Sequence, residues 1–233
     1  MIKGRCTAKQ SDLFSVFSLF LPVFALSGIA SQNAMQIEIP ERAKYIRVLV
    51  DELTRIASHE LWWGAMAMDL GAFTPFFHAF RERENINDIM EETCGARLTM
   101  NYFVPGGVMQ ELHPNFQKKV KEFITLFKSK VDEYDELVTG NIIFQNRMKN
   151  VGVLSKEDAI SFGCTGPTAR GSGVSCDVRK IYPYDVYDKA EFEEIIETGG
   201  DSFARYMVRI REMHQSIRII EQFIDNIPEG DFQ

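Results

Sequence analysis

Cysteine is scarce in this chain and poorly arranged for metal. There are four, Cys6, Cys94, Cys164 and Cys176; no two form a CxxC pair and none lies within four residues of a histidine. That argues against a zinc or iron–sulfur site built by this chain alone, and the scatter suits reduced thiols, with Cys94 expected as a small buried apolar residue. Histidine is equally sparse. His59, His78, His113 and His214 show neither HxxxH nor HExxH spacing, so structural or surface roles are expected for each. GxGxxG is missing, and the glycine-rich stretch GPTARGSG (166–173) has no Lys-Ser or Lys-Thr ending; a dinucleotide or P-loop phosphate site is therefore not expected. Positive charge is short too, with 26 Lys and Arg against 33 Asp and Glu and a net charge of −7. Nucleic acid, which is bound through clustered basic residues, is not an expected partner. Lys118, Lys119 and Lys121 share their helix with Glu122, Asp132 and Glu133, and read as a solvated face.

What the chain does have is helical apolar periodicity. Its 233 residues, 45% hydrophobic and 25% charged, suffice for one sizeable soluble domain or two small ones. Residues 13–30 (LFSVFSLFLPVFALSGIA) carry no charge and follow Lys3, Arg5 and Lys9. This is a signal-peptide pattern close to transmembrane length, weakened as a span by Pro22 and the serines. From Pro40 an amphipathic helix is expected, with Ile46, Leu49, Val50, Leu53, Ile56, Ala57 and Leu61 on one face. It becomes apolar nearly all round through Trp62, Trp63, Ala65, Met66, Ala67 and Met68, and Gly71 closes it. A second helix is expected over 75–94, opened by Thr74-Pro75 and stopped by Gly95, and a third over 114–138. After a short helix through Met148 and a single turn capped by Ser155, residues 163–190 read as a long ordered loop rich in Gly and Tyr. Asp201 caps a last helix expected to run through Ile227, ahead of Pro228. Strand signal is slight, so the fold class is mainly α, a helical bundle with long ordered loops.

One residue stands out chemically. Asp69 is the one charged residue, near the end, of the run from Leu61 to Ala72. It either caps a helix end or the following loop near Gly71 and Thr74, or handles protons from an apolar pocket. Leu61, Ala65 and Asp69 fall at i, i+4 and i+8, so one helix face presents all three.

Several blocks resemble the 49-kDa-type subunit of respiratory complex I, the NADH–quinone oxidoreductase. They are PERAKYIRVLVDELTRIASH (40–59), MDLGAFTPFFHAFRERE (68–84), GARLTMNYFVPGGV (95–108), VDEYDELVTGN (131–141), GVLSKEDAISFGCTGPTARGSGVSCDVRKIYPYDVYD (152–188) and RYMVRIREMHQSIRIIEQ (205–222). They run collinearly over about residues 36 to 230. The resemblance implies a helical core shared with the large subunit of nickel–iron hydrogenases, in which the old metal cavity has become a quinone headgroup site. It implies a subunit that is active only within a complex. The partners would be a small protein carrying the terminal iron–sulfur cluster, other peripheral-arm subunits and the membrane arm, on the cytoplasmic face of the plasma membrane or the matrix side of the inner mitochondrial membrane. NADH and FMN would bind elsewhere in that complex, and quinone would be the substrate.

Carried over by position, Asp69 matches an aspartate paired with a pocket histidine and is the candidate catalytic residue; Leu61 and Ala65 match the pocket lining. Arg97 and Thr99 match a stretch beside the partner's cluster, where many members have histidine in place of Thr99. The resemblance leaves out the family's N-terminal block, with that pocket histidine and a quinone-binding tyrosine, and its strand-rich C-terminal end. Residues 1–34 are expected to be a non-family hydrophobic extension, a signal-like segment or a gene-model artefact, with the family domain over 35–233. The alternatives are a non-catalytic fragment or scaffold, and a membrane-bound hydrogenase-type large subunit, which retained CxxC pairs would mark.

Overall fold

The computed structural model describes residue 32, residues 34–98 and residues 100–233. The hydrophobic run at 13–30 and Thr99 lie outside the described residues, as do most of residues 1–34. Four long helices form the body. Helix α1 spans Glu41–Asp69, α2 Thr74–Cys94, α3 Phe116–Tyr134 and, after a series of short elements, α8 Ser202–Phe223. Each packs on two neighbours, α1 on α2 and α8, and α3 on the same pair, so the four close into a bundle. The mainly helical expectation is met, and the only sheet among the described residues is a two-stranded hairpin, β1 Phe103–Val104 with β2 Gly107–Val108.

Local signals account for most boundaries. Pro40, with its fixed φ, immediately precedes Glu41, whose charge suits the positive end of the helix dipole. Pro75 lies in the first turn of α2, and Gly95 ends that helix at φ +76, the left-handed geometry that favours glycine. Asp201 accepts a hydrogen bond from the Ala204 N–H and caps α8. Helix α8 stops at Phe223 rather than at the expected Ile227. Pro228 disfavours helical backbone at the residue before it and clashes with the carbonyl four residues back, so the last turn cannot close. The third helix starts at Phe116 and ends in a π-helical turn, Asp135–Thr139, before Gly140. Helix α4 (Ile142–Met148) is capped by Asn141, and α5 (Lys156–Ser161) by Ser155.

The core is aromatic and aliphatic. Trp63 of α1 stacks on Tyr134 of α3 with ring centroids 4.1 Å apart, both fully buried. Gly64 allows close approach, since a Cβ there would lie 3.1 Å from the Phe76 Cα of α2. Arg47, buried at the other end of α1, clamps the hairpin by donating to the carbonyls of Val104 (2.8 Å) and Gly107 (2.6 Å) and to Gln32 Oε1 (3.1 Å). The C-terminal tail returns to the same hairpin, where the Val108 N–H donates to the Phe232 carbonyl at 2.9 Å. Cys94 is half-buried against the core, rather than fully buried, with its thiol 3.6 Å from the Ala96 carbonyl.

Residues 163–190 are ordered, as expected, but hold three short elements: α6 Gly166–Arg170, α7 Val178–Ile181 and a 3-10 turn, Tyr187–Lys189. Among the described residues no helix is long and apolar enough to cross a membrane.

Candidate functional site

The second half of α1 carries the candidate face. Leu61 is half-buried, Ala65 is buried and Asp69 is exposed, so the face opens toward the helix end. The spacing of 3.6 residues per turn puts the three side chains on one side. Asp69 makes no hydrogen bond or ion pair among the described residues, and it caps neither its own helix nor α2. Exposed Phe73 and Phe77 follow it. Behind this end a cavity of about 340 Å³ is lined by Ala67, Leu70, Ala72, Leu137, Phe144 and Arg147, and the Arg147 guanidinium donates to the Leu70 carbonyl at 2.7 Å. Asp69 does not line that cavity.

Arg97 lies elsewhere. Helix α2 begins five residues after Asp69 and ends three residues before Arg97. Its 21 residues make about 30 Å of helix at 1.5 Å per residue. The fold therefore places Asp69 and Arg97 at opposite ends of α2. Arg97 is half-buried and held by three carboxylates of that helix, Asp88 at 2.7 Å together with Glu84 and Glu91. These hydrogen bonds raise the guanidinium pKa further.

Two buried ionic networks escaped the sequence reading. In the first, His59 of α1 meets Glu212 of α8 at 2.8 Å, while Arg170 of α6 donates to the other oxygen of Glu212 through Nε at 2.8 Å. Burial lowers the His59 pKa although Glu212 pulls it upward, so the imidazole is neutral and Nε2–H donates. Burial opposes the charge on Glu212, but its hydrogen bond with His59 and the Arg170 guanidinium keep it ionised.

In the second network, Arg179 of α7 donates to Glu52 of α1 at 3.0 Å and to Asp177 at 2.7 Å, and the Tyr187 hydroxyl donates to Glu52 at 2.6 Å. Burial again works against ionisation of Glu52, yet Arg55 and Arg179 hold its pKa at about 2. Together the networks pin residues 166–187 against α1 and α8, which explains the order of a segment with little apolar periodicity. Their signal in the sequence was charge on an apolar face: Glu52 lies one helical turn from Val48, Leu49 and Ile56, and Glu212 one turn after Val208 and next to Met213. Among the described residues no grouping of three or more His, Cys, Asp or Glu side chains is arranged to hold a metal.

Comparison with known proteins gives these features a family. The profile described as "Respiratory-chain NADH dehydrogenase, 49 Kd subunit" matches residues 69–233. The chain is 62% identical over 202 residues to the C/D-type subunit of the NADH-quinone oxidoreductase of Bacteroides thetaiotaomicron, covering 87% of this chain and 38% of that protein. It is 46% identical to the D-type subunit of the NADH-quinone oxidoreductase of Magnetococcus marinus, covering 87% of this chain and 51% of that one. The H-type subunit of the NAD(P)H-quinone oxidoreductase of Synechocystis sp. is 47% identical over 210 residues, 90% of this chain and 53% of the relative. The chain thus spans about half, or less, of the length of these curated relatives. On the profile match over most of its length, the chain belongs to the 49-kDa subunit family of the respiratory-chain NADH dehydrogenase.

Proposed function

We propose that the chain works as a subunit of a NADH–quinone oxidoreductase and that the second half of α1 forms one wall of the quinone pocket. The observation that carries the reading is the Leu61–Ala65–Asp69 face, apolar along its length and ending in an exposed carboxylate without a partner among the described residues. Reducing a quinone to a quinol takes two electrons and two protons. An apolar wall suits the ring of the headgroup, and a carboxylate at its edge suits the control of proton delivery. In this reading Asp69 pairs with a histidine supplied from outside the described residues and adjusts that histidine's protonation as the quinone is reduced.

The electrons come from an iron–sulfur cluster on a small partner protein, close to Arg97 and Thr99, and originate at NADH and FMN in other subunits. Quinone reduction is coupled to ion translocation through the membrane arm. Docking to those partners is supported by the large apolar side chains left exposed in this chain, among them Phe73, Phe77, Ile142, Ile143 and Phe162. In this reading the chain sits peripherally, on the cytoplasmic or matrix side of the membrane.

Photolabelling of the assembled complex tests this. A quinone carrying a photoreactive headgroup should tag the peptide containing residues 61–69, and excess unlabelled quinone should suppress the tag. Labelling confined to other subunits would rule out the pocket assignment.

A further inference from the structure

Glu60 occupies a place where a charged carboxylate has little to stabilise it. It is 0% exposed in the middle of the bundle, and neither carboxylate oxygen has a hydrogen-bond partner among the described residues. Trp63, three residues on and on the same face of α1, stacks on Tyr134 of α3, which brings that tyrosine beside Glu60. The Tyr134 hydroxyl is itself buried and unpartnered among the described residues. Gly64, one turn along, draws the α2 backbone in close, so this stretch of α1 is tightly enclosed.

The neighbouring charges do not offset a carboxylate there. From α2 come Glu82 and Arg83. Glu82 is buried but committed to Arg81, whose guanidinium donates to it at 2.5 and 2.7 Å. Arg83 lies over the Phe80 ring, its Nε is buried without a partner among the described residues, and it forms no ion pair with Glu60. From α3, Glu133 is committed to Lys130 at 2.7 Å and His78 at 3.9 Å. From α8, Glu212 is committed to His59 and Arg170, and Arg209 lies over the Trp62 ring. Burial raises the Glu60 pKa well above the ordinary carboxylate range; Glu82 raises it further, while Arg83 and the nearby Tyr134 pull the other way. An ionised carboxylate so enclosed carries a heavy desolvation cost, as buried unpaired ions do. A neutral carboxylic acid avoids most of it.

We propose that Glu60 is a buried proton-binding site, a carboxylic acid that holds its proton at neutral pH between α1, α2 and α3. When it ionises, the O–H bond breaks, the proton leaves to solvent, and a carboxylate is left facing Glu82 and the Tyr134 hydroxyl. That charge loosens the packing of α1 against α2 and α3. By linkage, a folded pKa above the unfolded one gives stability that is complete below the unfolded value and lost as pH rises through the folded value. The site is therefore a brake on alkaline stability. It does not depend on the quinone-pocket reading.

The test is infrared spectroscopy of the full chain in its assembly, with glutamate labelled with carbon-13. At neutral pH a label-shifted carboxylic-acid carbonyl band is expected, and Glu60→Gln should remove it. The band should fade as pH is raised, and the midpoint of thermal unfolding should fall with it in the wild type but much less in Glu60→Gln. If the variant does not fold, the wild-type band and its titration decide. The proposal fails if no labelled acid band exists at neutral pH, if the band survives Glu60→Gln, or if the two unfolding profiles run parallel.

Discussion

His59 on α1 and Glu212 on α8 meet 2.8 Å apart inside the bundle, joining helices whose contacting residues are 153 positions apart in sequence. Glu212 is also the anchor for Arg170, so one carboxylate ties together α1, α8 and the segment that follows α5. Replacing it with glutamine leaves a buried guanidinium without its counter-charge. Breaking a buried pair from one side costs about 3–5 kcal/mol. Denaturant unfolding should show a loss of that order for Glu212→Gln, and a loss within experimental error would show that the network is dispensable.

Acid should expose the same contact. Burial depresses the folded pKa of His59 below its ordinary value of 6.5. A depressed folded pKa gives stability that is present above the unfolded value and lost as pH falls through the folded one. Unfolding followed from about pH 7 downward should therefore show stability falling below the ordinary histidine pKa. His59→Gln should flatten that part of the profile, and an unchanged slope in the variant would assign the acid loss to other groups.

Asp51 and Asp185 predict the opposite slope. Burial raises their pKa values to about 8 and about 6 respectively, with Arg55 opposing at Asp51 and Arg47 at Asp185. Each contributes stability below its unfolded pKa that is lost as pH rises through the folded one. Asp51→Asn should gain on the wild type as pH climbs through about 8. Equal melting temperatures across that range would mean that Asp51 is already ionised at neutral pH.

Gly107 is required by contact rather than by φ. A Cβ at this position would collide with the Phe232 carbonyl, which accepts from the Val108 N–H. Gly107→Ala should expel the C-terminal tail, cost about 1–3 kcal/mol for the stranded buried groups, and speed amide exchange at Val108. Undiminished protection of that amide would show that the tail adapts.

Much of this fold is legible in the sequence. Pro40, Pro75, Gly95 and the Asp201 cap mark helix ends through local backbone chemistry, and each boundary falls at or beside its signal. The Leu61–Ala65–Asp69 face is equally legible, because helical spacing alone fixes which residues share a side. The exposure of Asp69 is not, since it depends on where α2 departs. Nor are the long-range partners of Glu52, His59 and Glu212, which come from residues 42 to 153 positions away. The π-helical turn at Asp135–Thr139 has no sequence signature of its own. The roles proposed for Arg97 and Thr99 rest on resemblance alone, and geometry adds only that Arg97 sits at the far end of α2 from Asp69.

In the proposed arrangement, threonine at position 99 has a consequence for the cluster-bearing partner. Where a histidine would couple a proton to the cluster's reduction, Thr99 has no group that titrates in that range. Redox titration of the assembled complex across pH should give a shallow slope for that cluster. A full one-proton slope would place the coupling group elsewhere.

The central claim rests on Asp69, and kinetics of Asp69→Asn in the assembled complex tests it most directly. NADH oxidation with quinone as acceptor should fall on the order of a hundredfold, the typical weight of a proton-transfer group. NADH oxidation with a soluble artificial acceptor should stay at the wild-type rate, showing that the flavin end and the assembly are intact. Unimpaired quinone reduction in the variant would contradict the account and remove Asp69 from the reaction.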